Sequence, residues 1–144
     1  MKLKLIDAFI VQLQADLVTM KDAARAAHEA ATHEESKAEN QYDTRGLEAS
    51  YLAGAQAKRA AEIDEVLALF KNTSFKIFDA SSPAQATALV DIRMEGKKSH
   101  LLMMPKGGAL RLRFEGRDFQ IITPQSSLGE ALIAQLGWRN TWIA

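Results

Sequence analysis

The chain has 144 residues, 47% of them apolar and 25% charged, with no cysteine and with 18 basic residues balancing 18 acidic ones. That composition belongs to a folded globular chain rather than a disordered one, and it excludes a disulfide scaffold and thiolate metal sites. The cancelled net charge gives no reason to expect free DNA or an anionic membrane as partner.

The start, Met1-Lys2-Leu3-Lys4-Leu5-Ile6-Asp7, lacks the unbroken apolar run of a secretory signal. No later stretch approaches the roughly 18 apolar residues of a membrane span, so a cytoplasmic protein is expected. Residues 1–72 contain no proline, and glycine occurs there only at Gly46 and Gly54. Apolar or small residues recur at Ile6, Ile10, Leu13, Leu17, Met20, Ala24, Ala27 and Ala31, in alternating steps of four and three. This is the seam of a coiled coil. A second helical pattern runs through Leu47, Tyr51, Leu52, Ala60, Ile63, Leu67 and Phe70. The large residues of both patterns lie at the ends that meet when two helices fold back on each other. The pairing expected is therefore within one chain, with Ile6, Ile10, Leu13 and Leu17 facing Ile63, Leu67 and Phe70.

Between the seams, residues 32–44 are polar and rich in capping residues. Thr32 with Glu35 and Ser36 with Glu39 both fit the capping box, and Asp43 or Thr44 can also open a helix. The reversal is expected inside that interval. Two helices of roughly 30 residues would make a rod of about 45 Å.

After Asn72 the texture changes, dividing the chain into a helical part, 1–72, and a small β-rich part, 73–144. Residues 87–94 alternate in part, 99–104 are apolar, and Lys106-Gly107-Gly108 reads as a turn. Residues 109–114 place Leu110, Leu112 and Phe114 on one face and Arg111 and Arg113 on the other. Gly116 reverses the chain into Phe119-Gln120-Ile121-Ile122, which Pro124 ends. Ser126 or Ser127 caps a short helix with Leu128, Ala131, Leu132 and Leu136 buried and Gly137 at its end. A twisted antiparallel sheet with one helix is expected over residues 85–136, with no internal repeat. An exposed edge or apolar patch is expected near Trp138 and Trp142, open to self-association.

The reversal concentrates acids: Glu29, Glu34, Glu35, Glu39, Asp43 and Glu48 stand against Lys37 and Arg45. One reading is a solvated, well-capped helix turn, because acids favour helix starts. The other is a rod delivering carboxylates into a confined site, where hard oxygens suit Mg²⁺. His28 and His33 are five apart, which turns them away from one another on a helix and fails the zinc-protease spacing. No nucleophile elbow, triad or phosphate-loop pattern is present, so no free-standing catalysis is expected. The basic residues Arg93, Lys97, Lys98, Lys106, Arg111, Arg113 and Arg117 gather in the β-rich part, as edge defence or as a docking face for an acidic surface.

This layout resembles the Gre transcription elongation factors. Glu39-Asn40-x-Tyr42 is similar to that family's tip motif. Residues 121–132, Ile-Ile-Thr-Pro-Gln-Ser-Ser-Leu-Gly-Glu-Ala-Leu, resemble its Ser-Pro-x-Gly/Ala-x-x-Leu element, and residues 101–108 its strand and Gly-Gly turn. The resemblance implies an α+β protein, a long antiparallel coiled-coil hairpin followed by a small FKBP-like antiparallel β domain with one short helix. It implies RNA polymerase as partner, with nascent RNA met only inside that complex. The β domain would dock on the rim of the secondary channel through Arg111, Arg113, Ser126 and Leu128. The tip, with Glu34, Glu35, Glu39 and Asp43 as acids and Asn40 and Tyr42 completing the motif, would share a Mg²⁺ with the polymerase and promote cleavage of backtracked RNA. No cofactor or metal of its own is implied. Ser36 stands where the family has an acid, which also allows a non-catalytic channel occupant. A coiled-coil interaction module is the third reading.

Overall fold

The computed structural model describes residues 1–33, 37–79, 81–134 and 141–142, with Ala134, Thr141 and Trp142 as backbone only. Two long helices come first, α1 (Lys2–Thr32) and α2 (Arg45–Asn72). The reversal therefore falls within residues 33–44, inside the expected interval. On α1 the seam behaves as its spacing predicts: Ile6, Leu13, Leu17 and Ala27 are buried, and Ile10, Met20, Ala24 and Ala31 are half-buried. On α2 the stripe is Gly46, Ala49, Ala53, Gln56, Ala60, Ile63, Leu67 and Phe70, again in alternating threes and fours. Leu47, Tyr51 and Leu52, expected inside, are exposed. They lie off the phase that Ala60, Ile63, Leu67 and Phe70 set, and small residues occupy the seam in their place.

The helix ends Met1–Val11 and 69–72 belong to one compact unit with the rest of the chain from Leu69 onward, and Gln12–Ala68 form a second. In the first unit, Phe9 of α1 meets Phe70 of α2 at 5.6 Å between ring centroids, and Phe70 meets Phe75 at 6.0 Å. The early part of one helix thus lies beside the last turn of the other, as antiparallel pairing within one chain demands. Phe9 was absent from the predicted seam because it flanks Ile10 rather than keeping the heptad step. Lys2 donates its ammonium to the Lys76 carbonyl and lies 4.8 Å from the centre of the Phe78 ring. Its burial there pushes its pKa down.

The sheet is built from β1 (Leu89–Met94), β2 (Lys97–Met103), β3 (Arg111–Phe114), β4 (Arg117–Ile122) and β5 (Thr141–Trp142), in the order β3-β4-β2-β1-β5. The sheet is mixed rather than all-antiparallel as expected: β2 and β4 run parallel, with His100 beside Phe119 and Met103 beside Ile122. The composition of the second hairpin explains the order. Phe119, Ile121 and Ile122 of β4 are buried and need neighbours on both sides, whereas β3 carries exposed Arg111 and Arg113 and takes the edge. The tail supplies the other edge, where β5 pairs with β1 through Val90–Trp142 and Asp91–Thr141. Leu136, Gly137 and Trp138 lie outside the described residues.

Both hairpins turn through Glu-Gly. Glu95 and Gly96 have φ of 50° and 80°, and Glu115 and Gly116 have 48° and 75°. Two consecutive positive values define the type I′ turn, whose twist matches paired strands. The chain therefore does contain a local repetition, two Glu-Gly hairpins set side by side with their second strands parallel.

α3 (Ser127–Ala134) covers one sheet face. Leu128 and Leu132 pack with Ile92 on a cluster of Ala84, Leu101, Met103 and Ile122, while Phe78, Ala88 and Val90 continue that layer. Ala131, expected inside, is exposed. Ser126 is the cap: its hydroxyl accepts the Gly129 amide at 3.0 Å and donates to the Thr123 carbonyl at 2.7 Å. On the opposite face Leu89, Leu102, Phe119 and Ile121 are buried. Leu5, Phe9 and Phe70 of the helix ends are also fully buried in this unit.

Candidate functional site

The described part of the reversal, residues 37–44, is held by side chains bonding to backbone. Asn40 Oδ1 accepts the Tyr42 amide at 2.9 Å, and the Asp43 amide donates to the Asn40 carbonyl at 3.2 Å. This is an Asx-turn. Asp43 receives four donors: the Glu39 amide at 3.2 Å, the Arg45 amide at 3.3 Å, Arg45 Nε at 3.2 Å and Arg45 Nη2 at 3.2 Å. Thr44 then opens α2, its hydroxyl donating to Glu48 at 2.9 Å while its carbonyl accepts the Glu48 amide.

These contacts sort the predicted acids. The Arg45 side chain and the Arg45 and Glu39 amides hold the Asp43 carboxyl down at about 2, from an ordinary 3.8. Its oxygens are committed to the turn. Glu39 is open, with a side chain 81% exposed and only a long 3.9 Å ion pair to Arg45. Glu34 and Glu35 lie outside the described residues. The Tyr42 side chain is exposed, and the motif holds the turn through the Glu39 and Tyr42 amides and through Asn40. Among the described residues no group of three His, Asp or Glu is placed to hold a metal ion. Glu39 can lend one oxygen to a cation that another molecule holds, the situation in which Mg²⁺ usually accepts protein ligands.

A pH dependence follows. Because Asp43 is more acidic folded than unfolded, its contribution is complete above about pH 4 and is lost as pH falls through about 2. Helicity followed by circular dichroism is expected to fall across that window as the start of α2 frays. Asp43→Asn should lower helicity at pH 7 and flatten the acid-range loss, and an unchanged acid profile would remove the capping role.

The predicted docking residues separate as well. Arg113 bonds both Asp118 oxygens at 3.3 Å across the β3–β4 pair, and Arg111 remains exposed on the edge strand. Ser126 is occupied by the α3 cap and Leu128 by the core. Arg111 and the exposed face of Arg113 are what that set leaves for a partner.

Sequence reasoning missed a second constellation, on the first hairpin. Asp91 Oδ1 and His100 Nδ1 are 2.5 Å apart and mostly shielded, with the His100 ring 5.2 Å from Phe119. One pair further out, Arg93 stands directly opposite Lys98. The signal was the Glu95-Gly96 turn: counting outward equally from it pairs Arg93 with Lys98 and Asp91 with His100. Neither a protein-family model nor a curated protein matches the chain.

Proposed function

We propose that this chain binds RNA polymerase in the manner of a Gre-type factor, its coiled-coil hairpin entering the secondary channel while the FKBP-like β part docks at the rim. The observation that carries the reading is the reversal between α1 and α2. Its described part, residues 37–44, is held by its own hydrogen bonds, yet leaves the Glu39 carboxylate 81% exposed, with only a 3.9 Å ion pair to Arg45. A helix turn serving only to reverse the chain gains little from so exposed and loosely paired an acid. Inside a water-poor channel the same carboxylate would act with much less screening than on the free protein, lending an oxygen to a Mg²⁺ held by the polymerase. Arg111 and Arg113 would meet an acidic rim.

A second reading, the channel occupant that does not promote cleavage, is favoured by Asp43. Its carboxylate has four donors already, so it would not be a metal ligand without dismantling the turn. Stalled, backtracked elongation complexes separate the two. Wild type is expected to bind and shorten the transcripts, and Glu39→Ala to bind without shortening them. Binding by wild type with full-length RNA throughout would leave the occupant reading, and no binding to polymerase would remove both.

A further inference from the structure

One face of the sheet is layered by row. Leu89, Leu102 and Ile121 form a buried row; Asp91, His100, Phe119 and Leu112 come next; Arg93, Lys98, Arg117 and Phe114 lie at the turn end. The last row follows from register. Arg93 is opposite Lys98, and Phe114 is opposite Arg117. Lys98 and Arg117 each sit two residues before the parallel neighbours His100 and Phe119. Three cations therefore occupy adjacent strands on one face, spaced by the roughly 4.8 Å of strand pairing. All three are exposed, and none has an ion-pair partner among the described residues. Like charges placed directly across strands destabilise a sheet, so the arrangement costs the fold and does not serve it. The acids of the strands are directed elsewhere, Asp118 to Arg113 on the other face and Asp91 to His100, and Glu95 and Glu115 lie in the exposed turns beyond the row.

We propose that the row Arg93–Lys98–Arg117–Phe114 binds a short run of single-stranded nucleic acid, its phosphates on the three cations and a base against Phe114. Phe114 decides between nucleic acid and an acidic protein. It is half-buried at the end of the cationic row, its ring 6.4 Å from Phe119, and so presents an apolar surface held from behind. Cations beside an aromatic are the elements of sequence-tolerant single-strand binding, and guanidinium groups match phosphate oxygens in pairs. The proposal concerns the free protein and is independent of polymerase.

The test is fluorescence anisotropy of the full chain with fluorescein-labelled 12-nucleotide oligo(U) and oligo(dT). Three phosphate contacts predict a slope of log affinity against log salt of about −2, or about 20-fold weaker binding at 200 mM than at 50 mM salt. The double variant Arg93→Glu/Lys98→Glu is expected to bind at least tenfold more weakly. Phe114→Leu, which keeps the apolar volume, should lose about tenfold with little change in salt slope. Arg111→Glu/Arg113→Glu, on the opposite face, should leave affinity within twofold. Circular dichroism confirms that each variant is folded. No saturable binding at 50 mM salt would overturn the proposal. So would equal binding by Arg93→Glu/Lys98→Glu, or displacement of the oligonucleotide by poly-glutamate at matched charge, which would mark an acidic protein as the ligand.

Discussion

Replacing Gly129 with alanine is expected to destabilise the sheet-bearing unit by about 3 kcal/mol, at the upper end of overpacking costs. A Cβ at Gly129 would stand 1.9 Å from the Thr123 carbonyl oxygen, 2.9 Å from its carbon and 3.0 Å from Ser126 Oγ. The two nearest are backbone atoms, so no side chain can swing aside. Moving Thr123 also breaks the cap, because the same carbonyl accepts the Ser126 hydroxyl and the Ser126 oxygen accepts the Gly129 amide. With about 4 °C per kcal/mol for a chain of this size, the thermal midpoint should fall by about 12 °C. The only tryptophans, Trp138 and Trp142, follow α3 and provide the fluorescence readout. Ala131→Gly on the exposed side of α3 is the control, with a cost of about 1 kcal/mol. A Gly129→Ala variant as stable as that control would mean that α3 does not approach Thr123 as described.

Phe70→Ala should cost more, about 3–5 kcal/mol. Phe70 is 2% exposed and touches two other rings, Phe9 from α1 and Phe75 beyond the end of α2. Truncation would leave a cavity between elements that approach from different directions, where collapse is hindered. The pairing itself is measurable in a cycle of Phe9→Ala, Phe70→Ala and the double variant, in which the rings should couple by about 0.5–1.5 kcal/mol. Strict additivity in urea unfolding would deny that the helix ends meet through these two residues.

These sites also show what the sequence reveals and what it hides. The α1 seam was legible because leucine and isoleucine mark it with apolar bulk. The upper seam of α2 was not, since Gly46, Ala49, Ala53 and Gln56 carry almost no hydrophobic signal and the exposed Leu47, Tyr51 and Leu52 draw attention to the wrong side. Strands and turns could be read from alternation and glycine, but strand order could not. It depends on which strand of the second hairpin is the more apolar, a comparison between segments rather than a property of either. Acids at the reversal were visible as types. Which of them is spent on structure depends on a turn only a few residues long, in which Arg45 hydrogen-bonds Asp43 and reaches Glu39 only at 3.9 Å.

The sheet-bearing unit is discontinuous, joining the first eleven residues to everything from Leu69 onward. On the ribosome this imposes a delay. The apolar residues Leu5, Ile6 and Phe9 emerge early, but β4 is completed only when residue 122 has been added, roughly 5–20 s later at ordinary elongation rates. Each Glu-Gly hairpin can close within microseconds once made, so translation, rather than strand pairing, sets the interval. During it the nascent chain presents a greasy helix start with no core to enter, the kind of surface that holdase chaperones bind. Slowing synthesis between the two Glu-Gly turns would prolong that exposure, and moving residues 1–11 behind β4 by circular permutation would abolish it.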